Sequence, residues 1–143
     1  GLRERGGEDL DLRVSANILD QGSLWRPSLR WRIATRPELV ARAYKMLMPS
    51  GYIIQKLTGK FSMNRPRMSL TSLSDIRTGE WSHEIAKKAE IPFSLLPTPY
   101  DPCDIVGGVT EEAAHITGLK AGTPVSAGCL DSVVATLGAC DVQ

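Results

Sequence analysis

Apolar positions recur at helical spacing in some stretches of the chain and gather in short blocks in others. From Ser23 to Ala34, Leu24, Trp25, Leu29 and Ile33 fall at helical spacing, with Trp31 beside them. Pro27 sits in the first turn of this predicted helix, where a missing N–H costs little. Thr35-Arg36-Pro37-Glu38 predicts a second helix start, with Thr35 as N-cap, Glu38 at the capping-box position and Leu39 and Val40 behind. Tyr44 to Met48 is a short apolar run and reads as a buried strand. Pro49-Ser50-Gly51 breaks it and opens an amphipathic helix, Tyr52 to Leu57, closed by Gly59. After the polar stretch Asn64-Arg65-Pro66-Arg67 a strand is expected around Leu70 to Leu73, then a turn over Asp75 to Gly79. Trp81 to Glu90 returns to helical period, with Ser82 as its cap.

Further along, Pro92, Pro97, Pro99 and Pro102 make Ile91 to Cys103 an ordered but irregular connection. Ile105 to Val109 predicts a short strand, and Thr110 caps a helix that Gly118 stops after Thr117. Pro124 to Gly128 predicts a buried strand, Cys129-Leu130 a tight turn, and Asp131 to Leu137 a last helix. Residues 1–22 are rich in glycine and charge, lack a sustained period, and read as an irregular leading segment before a single body over 23–143. Helices alternating with short apolar strands define the α/β class.

Composition changes this picture little. The chain has 143 residues, 42% hydrophobic and 23% charged, as in an ordinary globular domain. A chain of this size buries roughly 68–70% of its unfolded surface. No apolar run reaches the ~18 residues of a membrane helix. The start lacks the apolar core of a secretory signal, and Gly1 in place of Met suggests a cut or processed boundary. Cys103, Cys129 and Cys140 are an odd count without CxxC spacing, and neither His83 nor His115 stands near one. No disulfide framework or metal site follows, and reduced, buried thiols in a cytoplasmic protein are expected.

Charge is uneven. Residues 1–70 carry 13 Arg/Lys against 6 Asp/Glu, and residues 71–143 carry 4 against 10. The arginines are spread through helical patterns and interleaved with Glu4, Glu8, Asp9 and Asp11, with no basic stripe alternating with aromatics. A nucleic-acid partner is therefore not expected.

The chemistry concentrates in Gly122 to Gly138, which reads strand, turn, helix with Asp131 where the helix opens. Open α/β sheets bind ligands outside the carboxyl ends of their strands, and a helix N-terminus favours negative charge. An aspartate there can take the proton of a substrate hydroxyl as its oxygen attacks phosphorus; a positioned base contributes about 10²–10⁴-fold. Gly128 and Cys129 are small enough to let substrate approach the backbone. The same position also suits a plain helix cap.

Six blocks, in order, resemble the FGGY family of carbohydrate kinases. Pro27-Ser-Leu-Arg-Trp31 with Arg36-Pro-Glu-Leu39 is similar to its "P-K-L-x-W … x-P-E" helices. Met46-Leu-Met-Pro-Ser-Gly-Tyr-Ile53 with Leu57-Thr-Gly-Lys-Phe61 resembles "LLPKDYL … LTGEF". Ser74 to Trp81 resembles "FDIRTGEW", and Ile91 to Pro97 resembles "IPxxLLP". Ile105 to Thr110, then Ala121 to Val125, resemble "GxVTxEAAxxTGLxAGTPV". The likeness runs from about Leu24 to Ala139 and corresponds to the second half of the family's first domain.

The resemblance implies a partial ribonuclease H-like, actin-type α/β domain and transfer of the ATP γ-phosphoryl group to a ketose or polyol, a xylulose-like pentulose first among them. It makes Asp131 the general base, with Trp25 and Arg26 as candidate sugar contacts beside their reading as a packing residue and a surface arginine. Gly128-Cys-Leu-Asp-Ser132 departs from the family's "GGGDN", which leaves the sugar open. The "DxGTTS" phosphate strand, the upstream Asp and Arg motif and the nucleotide-binding domain have no counterpart in this sequence, and no GxxxxGK[ST] replaces them. ATP and Mg²⁺ are then held chiefly by other parts of a parent kinase, and the chain alone is expected to be inactive. A non-catalytic sugar sensor or scaffold of the same family, and a basic module that binds nucleic acid or an acidic partner through the first half, are the alternatives. Asn64 falls near a polar position of the family's next segment and reads as an ordinary polar residue. Trp31 and Trp81 read as packing, His83 and His115 as solvated or capping, Gly107-Gly108 as a turn, and Cys129 as a small buried filler. With strands missing, a raw sheet edge predicts a homo-oligomer or swapped dimer.

Overall fold

The computed structural model describes residues 13–15 and 25–139. Residues 13–15 are helical with Val14 and Ser15 buried. The rest of the leading segment, together with Leu24 and Cys140, lies outside the described residues.

Helix α1 spans Trp25–Thr35 and α2 spans Pro37–Arg42. Leu29 is buried on α1, and Trp25 and Ile33 pack against the same core, as the spacing required. Thr35 does not cap α2. It ends α1, where its hydroxyl donates to the Trp31 carbonyl at 2.8 Å, and Arg36 takes the cap position without a side-chain bond. A threonine at the end of a helix can bond back to the carbonyl four residues earlier, and here that bond wins. Residues 43–48 are likewise not a strand. They form no ladder: Met46 N–H donates to the Leu95 carbonyl, and Lys45 Nζ bridges the Ser94 and Leu96 carbonyls at 2.7 and 2.8 Å.

Helix α3, Pro49–Thr58, ends at Gly59 in the left-handed conformation, φ 73°. It packs closely on β1, Ser62–Asn64: a Cβ on Gly51 would stand 2.7 Å from the Ser62 carbonyl oxygen. A short helix α4, Arg65–Ser69, follows with Asn64 as its cap. The strand expected over Leu70 to Leu73 is instead a run of turns, in which the Thr71 hydroxyl donates to Met68 O and Ser72 takes φ 56°. Pairing begins only with β2, Ser74–Asp75, against β3, Glu80–Trp81, around the predicted turn. Helix α5, His83–Lys88, has the expected cap, Ser82 Oγ accepting from Ile85 N–H at 3.2 Å.

The proline-rich stretch contains more order than expected. After a 3₁₀ turn at Phe93–Leu95, β4 (Thr98–Tyr100) pairs in parallel with β1, with Asn64 opposite Tyr100. Pro99 lacks an N–H and is tolerated because no described strand lies on the other side of β4. Strand β5, Ile105–Gly108, pairs antiparallel with β6, Pro124–Ser126. Between them Thr110 caps α6, Glu111–Thr117, and Gly118 terminates it. Gly107-Gly108 is strand rather than turn, and the glycines serve close approach: Cβ atoms there would stand 3.2 Å from Thr58 and from Gly122. Strand β6 is also not buried: Pro124 and Ser126 are exposed, and Val125 is half-buried against the cluster of Ile54, Val106 and Ala127. Helix α7, Asp131–Ala139, closes the described chain.

Two apolar clusters hold these elements. One joins Leu29, Met63, Met68, Leu73, Trp81, Ile85 and Leu96, and the other joins Ile54, Val106 and Ala127 with Tyr100 and Val125 against them. Each fully buried aliphatic side chain stabilises by about 1.5–3 kcal/mol. The Trp81 indole satisfies its N–H on the Pro97 carbonyl at 2.7 Å, which ties the β2–β3 hairpin to the start of β4. Trp31, expected to pack, is 61% exposed, and Cys103, expected to be buried, is exposed.

Candidate functional site

Asp131 stands at the carboxyl side of β6. The strand ends at Ser126, and the chain then passes Ala127, Gly128, Cys129 and Leu130 before α7 opens. Leu130 supplies the first helical acceptor, to Val134 N–H at 3.0 Å, so Asp131 is the first residue inside the helix. Its carboxylate is exposed, with Oδ1 accepting only the neighbouring Ser132 N–H at 2.8 Å among the bonds seen. An exposed carboxylate with one local bond retains acceptor capacity for a substrate hydroxyl.

The turn that carries Asp131 is fixed on both sides. Ala127 N–H donates to the Asp104 carbonyl at 3.0 Å, and Gly128 N–H to the Pro102 carbonyl at 3.1 Å. Gly128 takes φ 69°, a conformation that side chains resist. From the other side Asn64 Nδ2 donates to the Ala127 carbonyl at 3.3 Å. Asn64, at the carboxyl end of β1, is 3% exposed, and its Oδ1 accepts from Arg67 N–H at 2.9 Å. Arg65 then clasps the surroundings: its Nε donates to Gly79 O, its Nη2 to Glu80 at 2.7 Å, and its Nη1 lies 3.2 Å from Asp101. The bond to Glu80, with the charge of Asp101, outweighs desolvation and raises the Arg65 pKa above its ordinary range.

Trp25 and Arg26 belong to the other cluster. Trp25 is half-buried and stacks on Trp81, ring centroids 6.5 Å apart. Arg26 is not a surface arginine: it is 1% exposed, and its Nη1 donates to the Ser72 carbonyl at 3.1 Å. Trp25 thus packs with the first core and Arg26 bonds to the turn just before its Leu73, while Asp131 follows the strand of the second. His83 is exposed and stacks on Phe93, and His115 is exposed on α6. A cleft of about 460 Å³ between α3 and α6, lined by Gln55, Lys56, Thr110 and Glu112, contains none of the sequence-predicted residues. Among the described residues no three His, Cys, Asp or Glu side chains converge.

Asn64 is the residue that sequence reasoning passed over. Its cap role to Arg67 was visible locally, since Asn followed by a proline-containing turn starts helices. Its bond to Ala127 crosses 63 positions and had no local signal.

Comparison with known proteins places this geometry. The sequence model for the N-terminal domain of the FGGY family of carbohydrate kinases matches residues 17–138. A xylulose kinase from Lactococcus lactis subsp. lactis is 31% identical over 137 residues, covering 96% of this chain and 27% of that protein. An autoinducer-2 kinase from Klebsiella pneumoniae is 30% identical over 112 residues, covering 78% of this chain and 21% of that protein. The crystal structure of xylulose kinase from Rhodospirillum rubrum superposes with a TM-score of 0.90 at 27% identity, over 99% of this chain and 29% of that one. The architecture is therefore that of the sugar kinases, part of a ribonuclease H-like, actin-type α/β domain. The chain belongs to the FGGY family of carbohydrate kinases. It spans about a quarter of the length of the curated relatives it matches.

Proposed function

We propose that this chain is the sugar-side part of the first domain of a longer, cytoplasmic, ATP-dependent kinase, with Asp131 as general base. The observation that carries the reading is the exposed Asp131 carboxylate on a turn fixed by backbone bonds, at the strand end where the family resemblance puts the base. Asp131 accepts the proton of the sugar hydroxyl as that oxygen attacks the γ-phosphorus, and the phosphoryl group leaves ADP. Phosphoryl transfer otherwise depends on positioning and on neutralising charge with Mg²⁺. The sites that hold ATP and Mg²⁺ are assigned to the rest of the kinase. The proposed acceptor is a xylulose-like pentulose, supported by the xylulose kinases among the relatives. Trp25 and Arg26 are proposed to shape the sugar pocket, Trp25 through the exposed part of its half-buried side chain and Arg26 by holding the Ser72 turn.

The test is coupled ADP release by the full-length kinase over pentuloses, sugar acids, polyols and autoinducer-2, beside Asp131→Asn. Turnover on one acceptor, reduced about 10²–10⁴-fold in the variant, is expected for a positioned base. Equal turnover by both proteins refutes the base. Sugar binding without turnover on any acceptor moves the protein to a sensor role.

A further inference from the structure

We infer that Asn64 is a positioning residue for catalysis, acting through the turn that carries Asp131; this rests on the base reading above. Asn64 sits at the carboxyl end of β1, 3% exposed, opposite Tyr100 of β4. Its two amide atoms face two backbone groups of opposite kind. Oδ1 accepts from Arg67 N–H at 2.9 Å, and Nδ2 donates to the Ala127 carbonyl at 3.3 Å. The donor at Arg67 and the acceptor at Ala127 admit only one orientation of the amide. Aspartate matches the first partner but not the second unless protonated, and serine is too short to span both. The side chain therefore ties the start of α4 to the last residue before the Gly128–Leu130 turn.

The bond has leverage on the base. Ala127 is the anchor from which the chain leaves the β5–β6 pair, and its N–H is already committed to the Asp104 carbonyl. Asn64 holds the carbonyl end of the peptide leading into Gly128, whose N–H end is held by the Pro102 carbonyl, so without Asn64 that plane keeps one of its two anchors and can tilt about it. At Gly128 a φ of 69° leaves wide backbone freedom unless the neighbouring plane is held. Three residues later the chain reaches Asp131, and a misplacement of a reacting group by about 1 Å costs on the order of 10²-fold in rate.

The experiment uses the full-length kinase and the acceptor it phosphorylates. Asn64→Ser keeps a hydroxyl to cap α4 and removes the donor to Ala127; Asn64→Asp keeps size and cap and donates only when protonated. Positioning predicts that kcat of Asn64→Ser falls about 10²-fold. Its sugar KM, its calorimetric sugar affinity and its melting temperature stay near wild type. In Asn64→Asp, kcat relative to wild type recovers as pH is lowered, a trend that also decides the matter if the serine variant does not fold. Wild-type kcat at neutral pH in either variant overturns the inference, as does a pH-independent deficit in Asn64→Asp or a loss in which KM and melting temperature shift in parallel with kcat. Asp131→Asn, run in the same series, separates the two levels. If it is inactive while Asn64→Ser is not, only the role of Asn64 fails; if it is active, the base reading fails and the role of Asn64 with it.

Discussion

At the scale of single residues, the site depends on conformations that few side chains adopt. Gly128 lies at φ 69° with nothing within 4 Å of where a Cβ would stand, so strain rather than collision decides its replacement. Gly128→Ala is expected to lower stability by about 1–2 kcal/mol, the left-handed penalty of an L-residue. Kinetics of the full-length kinase should show a larger loss in kcat than that melting shift accounts for, because the turn re-aims Asp131. A second prediction concerns acid. The Arg77 guanidinium, through its side-chain hydrogen bonds and then its backbone N–H, holds the Asp75 carboxyl below the usual carboxylate range. A depressed folded pKa contributes stability above the unfolded value, near 3.9, and that stability is lost as pH falls through the folded value. Asp75→Asn should therefore melt earlier than wild type at neutral pH, with the gap closing in strong acid. A constant gap across the titration assigns the effect to packing instead. Asp131 was visible in the sequence as a carboxylate opening a helix, but spacing alone did not separate a base from a cap. Asn64 was invisible as a positioner because its second partner lies 63 positions away, and no local pattern encodes such a pair.

Elements that local chemistry determines were legible, and those that depend on a distant partner were not. Ser82 and Thr110 cap α5 and α6, and Gly59 and Gly118 end α3 and α6, as side-chain and glycine preferences required. Strand β4 was hidden by Pro99, and it forms because β1 offers a parallel edge. Residues 44–48 have strand-like composition, yet no described strand lies beside them to pair with. Thr35 had a capping sequence, but a carbonyl four residues back competed for its hydroxyl. The α3–β1 contact gives the element-scale prediction. A Cβ on Gly51 would meet the Ser62 carbonyl oxygen at 2.7 Å, and backbone does not yield as a flexible side chain does. Gly51→Ala should cost about 1–3 kcal/mol by overpacking, despite alanine's better helix propensity. Thermal unfolding checks this: a melting temperature at or above wild type shows that α3 can shift away from β1. Such a shift would also disturb Asn64 two residues along, so the kcat of this variant reports on the same connection.

For the whole molecule, the order of the six sequence blocks was the legible part, and the family match over residues 17–138 agrees with it. What the chain does with its uncovered surfaces follows from packing. The described strands form three separate pairs, so each strand keeps an edge that no described strand covers. Helix α7 has no buried residue, and Val133, Val134 and Leu137 are 40%, 50% and 60% exposed. Leu137 lies three residues from Val134 and four from Val133, so it shares a helix face with both. Apolar faces and open edges of this kind are covered in stable proteins, either by the rest of the polypeptide or by another copy. Expressed as these 143 residues alone, the protein is expected to self-associate. Light scattering across a concentration series should show mass rising above a monomer's 15.6 kDa. Val134→Lys with Leu137→Lys distinguishes the two surfaces. Return to a monomer assigns the association to the α7 face, and continued association assigns it to strand edges, because lysines on α7 leave every edge unchanged. A wild-type chain that stays monomeric at high concentration removes both, and requires that neither surface is sticky enough to outweigh the entropy lost on association.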